Sequence, residues 1–312
     1  MYVKRALAAI VAMIMILGVM PVYASGYSIE VGTELFGNIS YDKNITFDVT
    51  VSAPSEEDIT LISKAVDEYG IVRDEDRQEI PVPASGTAQA EVTINTGAYG
   101  VFKLETYMYS NNALVHTDKT DFSVVKTTEK VNDEVGIHML FQNDADHRKY
   151  VQEIFELYDK CGYSTVREGW LWREVERTKG SYKLNTLMKN QLILLKQNPD
   201  KDMLLTLGYG SSLHTGGDAT PAKTETQLKA WYDYCYNLAL LTKGEPISFE
   251  VYNEYDMVGT PEEYYALLKN AHTAVKAANP QAKVYGMVTS WTAEWWISRV
   301  IVLGGGQYLY GV

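Results

Sequence analysis

Asn253 and Glu254 stand side by side between Tyr252 and Tyr255, directly after the run ISFEV. The pair brings together an amide, which both donates and accepts hydrogen bonds, and a carboxyl, which can hold or release a proton. Aromatic neighbours partly desolvate a carboxyl, which disfavours the charged form and raises the pKa. A carboxyl in that state can donate a proton near neutral pH. The plain alternative is a polar strand end turning into a loop. Ile247, Phe249 and Val251 alternate with Ser248 and Glu250, the period-2 pattern of a half-buried strand. Successive strand residues point to opposite faces, so Asn253 and Glu254 share one pocket only if the strand ends or bulges there.

Other chemistry-bearing residues fall at corresponding places. From Val135 the chain alternates short apolar runs with segments of helical spacing, five times over, and YLYGV begins a sixth run. Polar and aromatic residues gather where the apolar runs end: His138 with Gln142, Arg167 with Trp170, then Tyr209, Glu254 and Trp291. Strict alternation predicts a parallel sheet with crossover helices. A doubly wound sheet should open on a Gly-rich turn, and FQNDADH is unlike one. A (β/α)8 TIM barrel needs no such turn and gathers its chemistry at the strand C-termini. Asp144 and Thr260 read as helix N-caps, with Pro261 at the first helical position. His138 reads as a substrate contact or as a hydrogen-bonded core histidine. Trp170 and Trp291 read as sugar-stacking rings or as packing, and Trp295 and Trp296 as packing.

The rest of the chain frames these residues. Residues 1–24 carry Lys4 and Arg5, an apolar run over 6–20 and a Val22-x-Ala24 cleavage pattern, which together predict a secretory signal peptide. The apolar run falls short of the about 20 residues of a membrane span. An uncleaved anchor is the alternative. Residues 27–125 show short alternating runs between turn residues, which predicts an Ig-like all-β sandwich, and 126–134 reads as a linker to the barrel region 135–312. A net charge of −12 argues against a nucleic-acid partner. Cys161 and Cys235 read as free, buried thiols. No Cys/His spacing predicts zinc, and LGGG at 303–306 lacks the Lys and Ser/Thr of a phosphate loop.

Three stretches carry a family resemblance. GYSTVREGWLWREVERTKGSYKL (162–184) resembles the second strand and following loop of clan A glycoside hydrolases. SFEVYNEYD (248–256) resembles their fourth-strand signature, with Tyr252 where Trp is usual and Tyr255 where Pro is usual. PEEYYALLKNAHTAVKAANPQAKVYG is similar to the helix that follows in families such as glycoside hydrolase family 39. The resemblance implies a secreted retaining glycosidase acting on poly- or oligosaccharides, without a cofactor. Glu254 would be the general acid/base. Asn253 would bind the sugar hydroxyl beside the anomeric carbon, and Arg167 would hold the nucleophile ionised. By their strand-end positions, and not by the resemblance, His138, Trp170, Tyr209 and Trp291 are candidate substrate contacts. The nucleophile of the clan is a Glu ending the seventh strand, and 135–312 is shorter than the about 250 residues of a complete barrel. The chain is therefore expected to be a truncated, inactive barrel whose reading frame continues past Val312. Two other readings are a non-catalytic carbohydrate-binding or adhesion protein with a degenerate barrel, and a sandwich module for protein contacts.

Overall fold

The computed structural model describes residues 25–139 and 149–312. The expected leader (1–24), Gln142 and the expected N-cap Asp144 lie outside them. The chain divides into two compact units between Lys126 and Thr127. Among the described residues no helix is long and apolar enough to cross a membrane.

The first unit holds eight described strands: β1 (Ser28–Gly32), β2 (Ile39–Ser40), β3 (Asn44–Ser52), β4 (Glu57–Asp67), β5 (Val72–Val82), β6 (Thr87–Asn95), β7 (Gly100–Ser110) and β8 (Ala113–Val124). They form two sheets, ordered β1-β3-β6 and β2-β8-β7-β4-β5. Alternation decides which face each strand buries. In β3, Ile45, Phe47, Val49 and Val51 turn into the core that also takes Leu61, Leu104 and Phe122. Phe122 meets Phe47 edge-on at 5.2 Å and Phe102 stacked at 5.4 Å. Burying each such side chain contributes about 1.5–3 kcal/mol. Strand β5 has the composition of a loop, VRDEDRQEIPV, yet it pairs with β4 along its length. It is an edge strand, where charge guards against further pairing and carries no apolar alternation to read. Its turn into β6 closes by Gly86 N–H to the Pro83 carbonyl (2.8 Å), with Gly86 at φ 82°.

The second unit alternates strands with helices: β9 (Asn132–His138), α1 (Val151–Lys160), β10 (Tyr163–Gly169), the short α2 (Trp172–Val175), α3 (Thr186–Gln197), β11 (Asp202–Leu207), α4 (Glu225–Leu241), β12 (Ile247–Val251), α5 (Pro261–Ala278), β13 (Val284–Tyr285) and α6 (Glu294–Val302). Strand β9 begins inside the segment read as a linker. Every strand pair is parallel, and the spatial order is β13-β12-β11-β10-β9. Chain order equals spatial order, so the winding never reverses. A doubly wound sheet must reverse it. The sheet curls as a partial barrel wall, and Tyr310 N–H on the Val284 carbonyl (2.7 Å) begins a sixth position beside β13.

Helices cover one face of this sheet, where Val166, Met203, Leu205, Phe249 and Val251 are fully buried. Helices α4 and α5 start on capping boxes, Thr224 with Gln227 and Thr260 with Glu263, and Pro261 takes the first turn of α5. Cys235 is a buried free thiol inside α4, while Cys161 is free and only partly buried. The other face lines an inner cleft with His138, Thr165, Arg167, Leu204 and Ser248.

Candidate active site

Arg167, on the inner face of β10, is the hub of the site. Its Nε donates to Glu250 Oε2 (2.9 Å), and its Nη2 donates to Glu250 Oε1 and to Asn253 Oδ1 (2.8 Å). Its Nη1 donates to His138 Nδ1 (3.0 Å). The Thr206 hydroxyl donates to Glu250 Oε1 (3.0 Å), directly across the β11–β12 register. Glu250 is 3% exposed, so this is a buried two-pronged ion pair. Burial works against the Arg167 charge, but the bonds to Glu250 and its charge outweigh burial and hold the guanidinium pKa above its ordinary value. Burial, then the charge on Arg167, pushes the His138 imidazole below its ordinary pKa. Among the described residues no group of three or more His, Cys, Asp or Glu is placed to hold a metal ion.

Strand β12 breaks just before the Asn253–Glu254 pair. Regular β12 stops at Val251, and Tyr252 (φ 64°) and Glu254 (φ 55°) adopt the left-handed backbone. That conformation costs non-glycine residues about 1–3 kcal/mol each, so the surroundings must impose it. Tyr252 N–H donates to the Leu207 carbonyl (3.0 Å), and Glu254 N–H to the Val288 carbonyl (3.1 Å). The Tyr264 hydroxyl donates to the Val251 carbonyl (3.0 Å) and accepts from Met287 N–H (2.6 Å). A Cβ at Gly286 would lie 2.5 Å from that hydroxyl, so only glycine fits. Asp256 takes Ser290 N–H (3.0 Å) and its hydroxyl (2.7 Å), tying the Glu254 turn to the loop after β13. With the alternation broken, Asn253 reaches Arg167, and the charge of half-buried Glu254 acts on both Arg167 and Tyr209.

The aromatic neighbours take a different place from the one their spacing suggested. Tyr252 and Tyr255 pack on each other (4.9 Å) in a buried series running from Tyr209 through Tyr252, Tyr255 and Tyr264 to Trp296. Burial holds both phenols far above their ordinary pKa, so they stay neutral. Tyr209 joins the Arg167 cluster by a hydrogen bond with Asn253, while burial raises its pKa. Trp170 lies outside that cluster, 2% exposed, with its indole N–H on Gln191 Oε1 (2.7 Å). Trp291, on the loop held by Asp256, is 82% exposed. Trp296 is buried as a packing residue, but Trp295 is exposed.

Sequence reasoning missed Glu250 and Thr206. It placed Glu250 on the solvated side of a half-buried strand, but in a curled parallel sheet that side is the inside of the wall. It also left the block 172–182 without a mechanism. Glu176 there is wholly buried and accepts from Trp172 Nε1 (2.7 Å), Gly180 N–H (2.6 Å) and His214 Nε2 (3.0 Å). His214 stacks on Trp172 at 5.2 Å. One carboxylate thus clasps the loop after β10 to the loop after β11, along the rim of the site.

No protein-family model matches the chain, and no curated protein matches it. Solved structures do. The fold is glycosidase-like: the chain is similar to a family 39 glycoside hydrolase from the gut symbiont Bacteroides cellulosilyticus WH2, with a TM-score of 0.62 and 20% identity over 90% of this chain and 56% of that one. The chain thus spans just over half the length of that structure. Looser likenesses, which carry no weight here, are to an endoglucanase of Pseudomonas stutzeri (TM-score 0.37, 20% identity, 50% of this chain and 53% of that one) and a beta-glucuronidase of Bacteroides uniformis (TM-score 0.32, 12% identity, 84% and 33%).

Proposed function

We propose that this chain carries the acid/base side of a secreted retaining glycoside hydrolase that cleaves O-glycosidic bonds of poly- or oligosaccharides. The observation that carries the reading is the broken end of β12, which brings Asn253 onto Arg167 and leaves Glu254 half-buried at the strand C-termini of a glycosidase-like fold. Glu254 protonates the leaving oxygen and then activates water. Asn253 and His138 bind the sugar, with Tyr209 beside Asn253 and the exposed ring of Trp291 offered for stacking. Retaining cleavage also needs an ionised carboxylate about 5–5.5 Å from the acid. Glu250 cannot serve, because both its oxygens are committed to Arg167 and Thr206. No described carboxylate is assigned that role; the clan resemblance implies a Glu ending a seventh strand, and without such a carboxylate the described site does not hydrolyse. The leader at 1–24 directs export.

The test uses a polypeptide in which that second carboxylate is present. Glu254→Ala should abolish hydrolysis of natural glycans yet spare the first step on activated aryl glycosides, and azide should restore turnover. Full activity of Glu254→Ala on natural glycans removes Glu254 from the mechanism. Carbohydrate binding without hydrolysis by the parent favours the non-catalytic binding reading instead.

A further inference from the structure

We infer that Glu250 is a positioning residue: through Arg167 it holds His138 and Asn253 in fixed donor orientations, so that the site meets its ligand with N–H groups and selects oxygen acceptors. A guanidinium has only donors. The Asn253 atom 2.8 Å from Arg167 Nη2 must therefore be the amide oxygen, since the flipped amide would set N–H against N–H. The Asn253 NH2 is thereby left for the Tyr209 phenol and for a ligand. The same logic applies to His138. Its Nδ1 lies 3.0 Å from Arg167 Nη1 and must be the unprotonated nitrogen, which places the proton of the neutral ring on Nε2. The depressed His138 pKa, from burial and the Arg167 charge, keeps that neutral form in place.

What aims Arg167 is Glu250. Both its oxygens are occupied by the Arg167 fork, and Thr206 fixes one of them from the neighbouring strand. A glutamine there offers one oxygen and turns an NH2 toward the guanidinium or the Thr206 hydroxyl. The order of control runs from Glu250 to Arg167 and from Arg167 to Asn253 and His138. Hydroxyl, ether and carboxylate oxygens of a ligand suit this polarity, whereas the ammonium of an amino sugar meets donors beside a guanidinium. That the ligand is a sugar rests on the glycosidase reading, but the orientation of His138 does not.

The experiment is nitrogen NMR of the full chain labelled in its histidine rings, which number five, with His138 assigned through His138→Gln. The parent should show His138 with a hydrogen-bonded, unprotonated Nδ1 and a protonated Nε2. Glu250→Gln, and Glu250→Asp, which keeps the charge but shortens the reach, should both move the Nδ1 signal toward its unbonded position. Arg167→Met should move it as far, and adding Glu250→Gln to Arg167→Met should move it no further. That last equality separates action through Arg167 from general damage, and the double variant leaves no unpaired buried charge. A His138 signal unmoved by both Glu250 variants overturns the inference. So does an equal further shift in the Arg167→Met background. In binding titrations, neutral gluco-oligosaccharides should outbind chito-oligosaccharides carrying free amines at pH 6, and the reverse order overturns the donor polarity. The ring signal needs no turnover, so it can hold where hydrolysis fails.

Discussion

Replacing Glu176 by alanine should unravel the rim of the site at a computable cost. The side chain is wholly buried and accepts from Trp172, Gly180 and His214. Trp172 is itself fully buried, so its N–H would be orphaned, and an unsatisfied buried donor costs about 1–3 kcal/mol. Gly180 is exposed and can turn to water, which limits that loss. Removing Glu176 also relieves the desolvation of its own charge, an offset of several kcal/mol for an unpaired ion and less for one so well bonded. The net is about 1–3 kcal/mol, a sizeable share of the ~5–15 kcal/mol that holds a typical domain. The assay is urea unfolding of 25–312 followed by tryptophan fluorescence. All six tryptophans lie between 170 and 296, so the signal reports the second unit alone. With a urea slope of about 2 kcal/mol per molar, the midpoint should fall by roughly 1 M. Glu176→Gln keeps one acceptor oxygen and should fall between. A midpoint within about 0.5 M of the parent at unchanged slope would refute the idea that this carboxylate clasps the two loops.

Phe47→Ala should destabilise the first unit by about 3–5 kcal/mol, because the ring is fully buried against Phe122; residues 27–125 expressed alone should melt cooperatively by circular dichroism, and the variant should melt lower. His138 has a folded pKa below its ordinary 6.5, so its contribution to stability is complete above that pH and is lost as pH falls through the depressed value. His272 is depressed by burial too and adds in the same direction, so the urea midpoint should drop on acidification below pH 6.5 and His138→Gln should remove only part of the slope. Lys201 is wholly buried, with Nζ on Asp159 (2.9 Å) and the Tyr163 carbonyl (3.0 Å); Lys201→Ala should cost about 1–3 kcal/mol in the same fluorescence assay, since both carboxylates near it reach water but that carbonyl loses its donor.

What was legible in the sequence was local. Helix α5 announces itself through Thr260, Pro261 and Glu263, because a capping box and a proline at the first turn act within four residues. The parallel sheet follows from strict alternation of apolar runs and helices, and its unreversed order follows from the lack of a Gly-rich first turn. Strand β5 was not legible, since an edge strand held by backbone bonds to β4 needs no apolar period. In strand β13 only Val284–Tyr285 pair. Past them, Met287 is left-handed at φ 61° and its N–H turns to the Tyr264 hydroxyl, a partner that no local pattern encodes.

The site divides along the same line. That Asn253 and Glu254 could share a pocket only across a broken strand was a deduction from the period of two, and Tyr252 and Glu254 at positive φ are the break. Which residue faces Arg167 was a different kind of question. Alternation sorts β12 into two faces but does not say whether the polar face meets water or the inside of a curled wall. Ser248 and Glu250 fit either. Only the curl and the register, which sets Thr206 opposite Glu250 and aims Glu250 at Arg167, turn a carboxylate of ordinary strand composition into a buried anchor. A sequence signal did exist: Arg167 on β10 and Glu250 on β12 are opposite charges at inner-face positions two strands apart. In a parallel wall with all its helices on one side, such a pair is poorly screened, with Glu250 4% and Arg167 21% exposed, and its members must find each other or be neutralised.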